Sequence, residues 1–82
     1  MPRAPKIIER KLGRERADGL YHSDGLIEID PRIKGKKRID TLIHEHLHHY
    51  LPDMPEDDVT KLATSIANAL WANRVRIIDS EK

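Results

Sequence analysis

Residues 40–51 combine helical apolar spacing with four histidines, and they read Asp40-Thr41-Leu42-Ile43-His44-Glu45-His46-Leu47-His48-His49-Tyr50-Leu51. No proline or glycine interrupts this run. Apolar residues recur three or four positions apart, as on one face of an α-helix, at Ile39, Ile43, Leu47 and Leu51. The carboxylate of Asp40 suits the positive end of a helix. The pattern predicts a helix over about residues 37–51.

Within this helix, His44, Glu45 and His48 form the pattern His-Glu-x-x-His. Side chains four residues apart lie one above the other, so the two imidazoles can hold a single metal ion. Glu45 lies about 100° around the helix from His44, within reach of a water on that metal. This arrangement is typical of zinc hydrolases, in which the glutamate is the general base. The alternative is a histidine-rich polar helix face that binds no metal.

A catalytic zinc usually takes three protein ligands and leaves one position for water. His49 cannot be the third ligand unless the helix unwinds, because it lies about 100° around from His48. The next predicted helix begins with three acidic residues. Asp57 points away from its apolar stripe, whereas Glu56 and Asp58 flank the stripe on opposite sides at roughly 80°. Glu56 is the expected ligand because its side chain is longer, and Asp58 is the alternative.

A β-hairpin is predicted before the first helix, because Asp24-Gly25 separates two apolar segments, residues 20–22 and 26–30. In the second segment Ile27 and Ile29 alternate with acidic residues and should point into the core. We expect this segment, through Ile27, Glu28 and Ile29, to lie along an extended substrate and pair with its backbone.

Two side chains of the hairpin, Tyr21 and His22, are candidates for stabilising an oxyanion, although a lone histidine at a turn is usually only exposed. His46 faces away from the other two helix histidines and is predicted to lie at the surface. Residues 6–10 resemble a strand, and residues 13–19 a short irregular link.

The second helix should end near residues 71–73, with Asp53 as its N-cap. Its predicted apolar face consists of Val59, Leu62, Ala63, Ile66, Ala69, Leu70 and Asn73. Residues 74–78 are predicted to be a final strand or a continuation of the helix. The fold class is therefore α+β, a small antiparallel N-terminal sheet packed on an active-site helix and a second, C-terminal helix.

Composition favours one domain over residues 1–82, with residues 1–5 as a flexible arm. Cysteine is absent, so any metal must be held by His, Asp or Glu. No apolar run reaches membrane-spanning length and no signal peptide is visible, which predicts a cytoplasmic protein. Residues 1–38 hold 11 Lys and Arg against 6 Asp and Glu, and residues 39–82 hold 4 against 8. Nucleic-acid binding by the basic half is possible but not indicated, because no aromatic residues interleave the charges.

Residues 20–71 resemble the small phage- and bacteria-borne zinc peptidases of the zincin class. The resemblance rests on Gly25–Pro31 through Gly35, on Ile39–His48, and on Glu56–Val59 with Ser65–Trp71. It implies a minimal gluzincin-like or SprT-like core. In that core His44, His48 and Glu56 match the zinc ligands, and Glu45 matches the catalytic base. The chain departs from the related pattern at Ser65, where an acidic residue would be expected to support one of the histidines.

The expected function is therefore that of a zinc-dependent metallopeptidase acting on a protein or peptide. One alternative is a non-catalytic module in which zinc only staples the two helices. Another is a DNA-associated protease-like protein. A nuclease with three histidine ligands is disfavoured, because Met54 stands where its further histidine would be.

Overall fold

A computed structural model describes residues 3–78 of the chain. Three strands and two helices follow one another, with a 3-10 turn at Gly13–Glu15 after the first strand. Their bounds are β1 Lys6–Glu9, β2 Gly19–His22, β3 Leu26–Ile29, α1 Gly35–Tyr50 and α2 Glu56–Ala72. The α+β class predicted from the sequence is confirmed.

The three strands form a mixed sheet in the order β1-β3-β2. The predicted hairpin is confirmed, because β2 and β3 pair antiparallel with Tyr21 opposite Ile27. β1, however, joins the other side of β3 in parallel, so the sheet is not purely antiparallel. The link from β1 to β2 crosses the end of β3, where the Leu12 amide donates to Asp30 Oδ2 at 2.9 Å. The parallel pairing of β1 with β3 depends on this crossing. The spacing of apolar residues within a strand does not predict it.

α1 lies between the sheet and α2, and its two sides are covered by different elements. It packs on β2 and β3 on one side and on α2 on the other, whereas α2 contacts none of the strands within residues 3–78. The buried apolar residues are Leu12, Ile27, Ile29, Ile39, Val59, Ala63 and Ala67. The inward direction predicted for Ile27 and Ile29 is confirmed, since both are fully buried.

Both helices differ in detail from their predictions. α1 begins two residues early, at Gly35, whose φ of +64° is readily available only to glycine. Asp40 consequently lies in the second turn, and the first turn holds no acidic residue. Asp53 is not the N-cap of α2, because that position is taken by Pro55 without a side-chain cap.

The buried face of α2 is rotated from the predicted one. Val59, Ala63 and Ala67 are buried, whereas Leu62 and Ile66 are exposed. Small alanines let the two helices approach closely, so the packing selects them over the larger residues. The predicted end of α2 is confirmed at Ala72. Residues 74–78 form neither a strand nor a continuation of the helix.

Residues 3–5 have no regular secondary structure, and residues 1–2 of the predicted N-terminal arm lie outside the described residues. Within residues 3–78, neither helix has the length and apolar character needed to cross a bilayer.

Candidate metal centre

Three side chains from two helices converge at one end of the contact between α1 and α2. His44 Nε2 lies 3.1 Å from Glu56 Oε2, and His48 Nε2 lies 3.1 Å from Glu56 Oε1. One ligand atom from each of the three residues lies within 4.8 Å of the other two. The rings of His44 and His48 meet edge to face, with centroids 4.9 Å apart. The three residues therefore offer their donor atoms to one common point.

Local structure explains this convergence. His44 and His48 are one helical turn apart on α1, so both imidazoles leave the same face. The chain then turns through residues 51–55 and begins α2 at Glu56. Glu56 precedes the buried residues Val59 and Ala63 by three and seven positions, so it shares their face and turns toward α1.

The two neighbouring acids do not join the group. Asp57 and Asp58 are exposed, and neither belongs to the cluster formed with His44 and His48. Asp58 leads instead to the exposed Leu62 one turn later. The sequence predicts either Glu56 or Asp58 as the third ligand, and the rotation of α2 brings only Glu56 to the histidines.

The donor set fits zinc. Two neutral imidazole nitrogens and one carboxylate match the ligands of zinc hydrolases that keep a fourth position open. Bonds of about 2.0 Å in a tetrahedral site put neighbouring ligand atoms about 3.3 Å apart. The two nitrogen-to-oxygen distances of 3.1 Å are close to this spacing. His44, His48 and Glu56 could thus hold a zinc ion between them.

Glu45 is the buried carboxylate beside this cluster. Only 8% of the residue is exposed, and it lines the same cleft as both histidines and Glu56. Burial raises the pKa of Glu45, the negative charge of Glu56 raises it further, and His48 opposes the change. A carboxylate with a raised pKa is a stronger base than an ordinary exposed one, which suits proton transfer near neutral pH.

The cleft, of about 500 Å³, is bounded on its far side by β2. Gly19, Leu20 and Tyr21 line it, and β2 is an edge strand whose outer side is unpaired in the sheet. Gly19 lies so close to α1 that an added Cβ would meet Thr41 Cγ2 at 2.7 Å. An extended chain in this cleft would therefore meet the edge of β2.

The substrate-binding prediction for Ile27, Glu28 and Ile29 is wrong. These residues belong to β3, the central strand, whose two sides are already paired with β1 and β2. Ile27 and Ile29 are fully buried, and the carboxylate of Glu28 accepts hydrogen bonds from Arg10. Backbone pairing with a further strand is available at the edge of the sheet, not at its centre.

Tyr21 and His22 point to opposite sides of the sheet, as neighbours on a strand do. Tyr21 lines the cleft, and its hydroxyl lies 2.9 Å from His49 Nδ1. Because His49 Nε2 donates to the Arg3 carbonyl, Nδ1 accepts the proton of Tyr21. The hydroxyl proton of Tyr21 is then already donated to His49 and does not stabilise an oxyanion in this arrangement. His22 pairs instead with Glu28 at 2.9 Å and is not part of the cleft.

Two more side chains near the site, Thr64 and Asp40, were not predicted to belong to it. Thr64 Oγ1 donates to Asp40 Oδ2 at 3.0 Å and so ties α2 to α1 one turn before His44. These two residues line a second cavity of about 250 Å³, together with His44, Glu45, Asp18 and Lys37. Asp40 and His44 are four residues apart, and this helical spacing is the one feature of the sequence that could have placed Asp40 near the site.

Two further polar residues, His46 and Ser65, do not belong to the metal cluster. His46 Nδ1 donates to the Leu42 carbonyl at 2.7 Å, and the residue is half-buried and not part of the cluster. Ser65, which stands where the related pattern has an acid, is exposed on α2.

Comparisons of the chain with protein-family models, with curated proteins and with solved structures found no significant match.

Proposed function

We propose that the protein is a zinc-dependent metallopeptidase that hydrolyses a peptide bond in a protein or peptide. One observation carries the proposal: His44, His48 and Glu56 converge on one point, and the buried carboxylate of Glu45 lines the same cleft. Two imidazoles, a carboxylate and an adjacent glutamate base are the groups that this chemistry requires. The predicted cytoplasmic location belongs to the same proposal.

The chain's own residues account for the proton transfers. A zinc ion held by this donor set supplies a Lewis acid that lowers the pKa of a coordinated water to about 7. Glu45 accepts a proton from the attacking water as that water adds to the peptide carbonyl. It then returns the proton to the leaving amine, so that one carboxylate is base and acid in turn. Its burial keeps bulk water from competing for the proton.

Substrate binding is assigned to β2. An extended peptide would add to the free edge of this strand beside Leu20 and Tyr21, with its scissile carbonyl facing Glu45. Main-chain hydrogen bonds of this kind give affinity without requiring a particular sequence. The proposed binding strand is thus the edge strand β2, which lines the cleft, and not the central strand β3.

The test is the variant Glu45→Gln, measured for both metal content and hydrolysis. The variant should keep about one zinc per chain, because Glu45 is not a ligand. Hydrolysis of an unstructured protein such as casein should fall by about 10²-fold or more, because the general base is lost. The matched control is Asp57→Asn, which removes an exposed carboxylate outside the cluster and should leave both quantities unchanged.

A second candidate, a non-catalytic module stapled by zinc, is favoured by the fact that the three donor residues join α1 to α2. Both candidates predict zinc binding, so the two are separated by activity. If the purified protein binds zinc and hydrolyses no peptide bond, the stapled module is the better description. If it binds no zinc after metal-replete refolding, both candidates are wrong.

A further inference from the structure

Five cations that do not belong to the metal cluster gather at one end of the molecule. We call this surface the basic end, and it consists of Lys11, Arg14, Arg16, Lys34 and Lys36. All five are exposed. None of them forms an ion pair with an acidic side chain among residues 3–78.

The topology brings these five residues together. β1 and β3 run parallel and end side by side, with Glu9 opposite Ile29. The segment after β1 is held to the segment after β3, because the Leu12 amide donates to Asp30 and Gly13 lies against the guanidinium of Arg32. Residues 10–16 and 30–36 therefore meet at the same end of the sheet.

The first turn of α1 is tied to the same end by two ion pairs. Lys37 Nζ lies 3.3 Å from Asp18, and Arg38 lies 2.7 Å from Glu9. Lys34 and Lys36, which flank Gly35 at the start of this helix, are thereby held beside the loop that carries Lys11, Arg14 and Arg16.

The acids of this end are already engaged, which leaves the charge uncompensated. Glu15 and Glu28 pair with Arg10, and Asp30 pairs with Arg32. Glu9 and Asp18 are the partners of α1 already described. Residues 9–38 hold nine Lys and Arg against six Asp and Glu, these five and Asp24, which leaves a surplus of +3. The basic half seen in the sequence is therefore concentrated on one surface.

The start of α1 adds to the positive potential of this surface. The N-terminal end of a helix carries a partial positive charge, so cations near it are repelled and destabilise the helix. The first turn of α1 nevertheless holds lysines and no acid, whereas the first turn of α2 holds Glu56, Asp57 and Asp58. An anionic partner would relieve the repulsion at the start of α1.

We infer that the basic end binds the phosphodiester backbone of a nucleic-acid duplex, as a function separate from the proposed hydrolysis. Several exposed Lys and Arg side chains on one surface match the regular charge of a phosphate backbone. The loop between β1 and β2 offers nothing apolar to insert into a bilayer, because its one large apolar residue, Leu12, is fully buried. No aromatic residue stands in residues 10–18 or 30–38 to stack on bases, so binding is to the backbone and independent of sequence.

The test is fluorescence anisotropy of the full chain with labelled DNA and RNA duplexes of about 20 base pairs over a range of KCl concentrations. Binding should weaken steeply with salt, because each phosphate contact adds about −0.9 to the slope of log K against log salt. Neutralising three cations together, with Lys11→Gln, Arg14→Gln and Arg16→Gln, should lower affinity at least about tenfold and reduce the slope by up to about 2.7.

The matched control is a triple variant with the same loss of charge elsewhere, Arg3→Gln, Lys6→Gln and Lys61→Gln. These exposed residues lie outside the basic end, so affinity should change far less than in the first triple. Circular dichroism checks that both triples fold, and Glu45→Gln should bind as the unaltered chain does. Equal weakening by both triples would overturn the inference, as would absence of duplex binding at low salt. Stronger binding to vesicles that contain phosphatidylserine would assign the surface to a membrane instead.

Discussion

Glu56 differs from its two acidic neighbours because of the side of α2 from which it leaves. All three stand in the first turn, where a carboxylate is favoured by the helix dipole whatever else it does. Only Glu56 also lies 3.1 Å from both His44 and His48. All three side chains are therefore carboxylates near a helix N-terminus, but only that of Glu56 is placed next to the two histidines.

Replacing Glu56, the proposed third ligand, should weaken metal binding specifically. Glu56→Ala removes one of three donors, and we expect the zinc dissociation constant to rise at least about 10- to 100-fold, the range seen even for the outer partners of metal ligands. Competition with a chromophoric chelator measures it. Asp58→Ala is the matched control and should leave zinc affinity unchanged. A larger effect at Asp58 than at Glu56 would make Asp58 the ligand.

The carboxylate of Glu28 makes the free energy of unfolding depend on pH below about pH 4.5. Hydrogen bonds from Arg10, and then from His22, lower the pKa of Glu28 to about 2 from its ordinary value of about 4.5. The folded state therefore prefers the ionised carboxylate, and this contribution is complete above pH of about 4.5. It is lost as the pH falls from about 4.5 toward about 2.

The variant Glu28→Gln should therefore be less sensitive to acid. Urea unfolding at a series of pH values should show a shallower fall of the free energy of unfolding below pH of about 4.5 than in the unaltered chain. Asp30, whose pKa is also lowered by Arg32, retains its own contribution in this variant. An unchanged slope would mean that Glu28 is not ion-paired in solution.

The contact between β2 and α1 positions the cleft, and it depends on the missing side chain of Gly19. An added Cβ would meet Thr41 Cγ2 at 2.7 Å and Ile29 Cδ1 at 3.1 Å. These atoms belong to side chains fixed in the interior, so β2 or α1 would have to shift. The free edge of β2 and the histidine face of α1 would then separate.

Gly19→Ala should accordingly destabilise the protein by about 1–3 kcal/mol through overpacking, as chemical denaturation would measure. Adding Thr41→Ser removes the clashing Cγ2 and keeps the hydroxyl bonded to the Lys37 carbonyl. The double variant should recover part of the loss. Gly13→Ala is the comparison, since its added Cβ would meet only Arg32 Nη2, at 3.3 Å, and a smaller loss is expected. Equal losses at both glycines would argue against a close approach at Gly19.

The molecule as a whole has a small core for its length, and a metal joining α1 to α2 would add to its stability. Among residues 3–78, four large side chains are fully buried: Leu12, Ile27, Ile29 and Val59. Chains of this size bury a modest fraction of their surface on folding. Among the strands and helices of residues 3–78, α2 contacts only α1, so a metal held by this cluster would strengthen the contact that holds α2 in place.

Zinc should therefore raise the melting temperature. At a free zinc concentration of about 100 times the dissociation constant, binding stabilises the folded state by about 2.7 kcal/mol. For a domain of this size that corresponds to an increase of roughly 10–20 °C, which differential scanning calorimetry would detect. His48→Asn should abolish the increase, and Mg²⁺ should not replace zinc. The same increase in His48→Asn would place the zinc elsewhere.

Much of the fold follows from patterns within short windows of the chain. The hairpin around Asp24-Gly25, the helix that carries His44 and His48, and the end of α2 were all predicted, because turn chemistry and helical spacing act between near neighbours. The parallel pairing of β1 was not, and this error led to the assignment of substrate binding to Ile27, Glu28 and Ile29.

The sequence by itself determined the two helices, the hairpin and the His-Glu-x-x-His pattern, since these depend on residues a few positions apart. Only the tertiary structure made β3 the central strand, turned Glu56 rather than Asp58 toward the histidines, and gathered the exposed cations at one end. These outcomes depend on which strand pairs with which and on how α2 rotates against α1. Both are set by the packing of residues far apart in the chain, where small alanines and a glycine permit close contacts that no local pattern specifies.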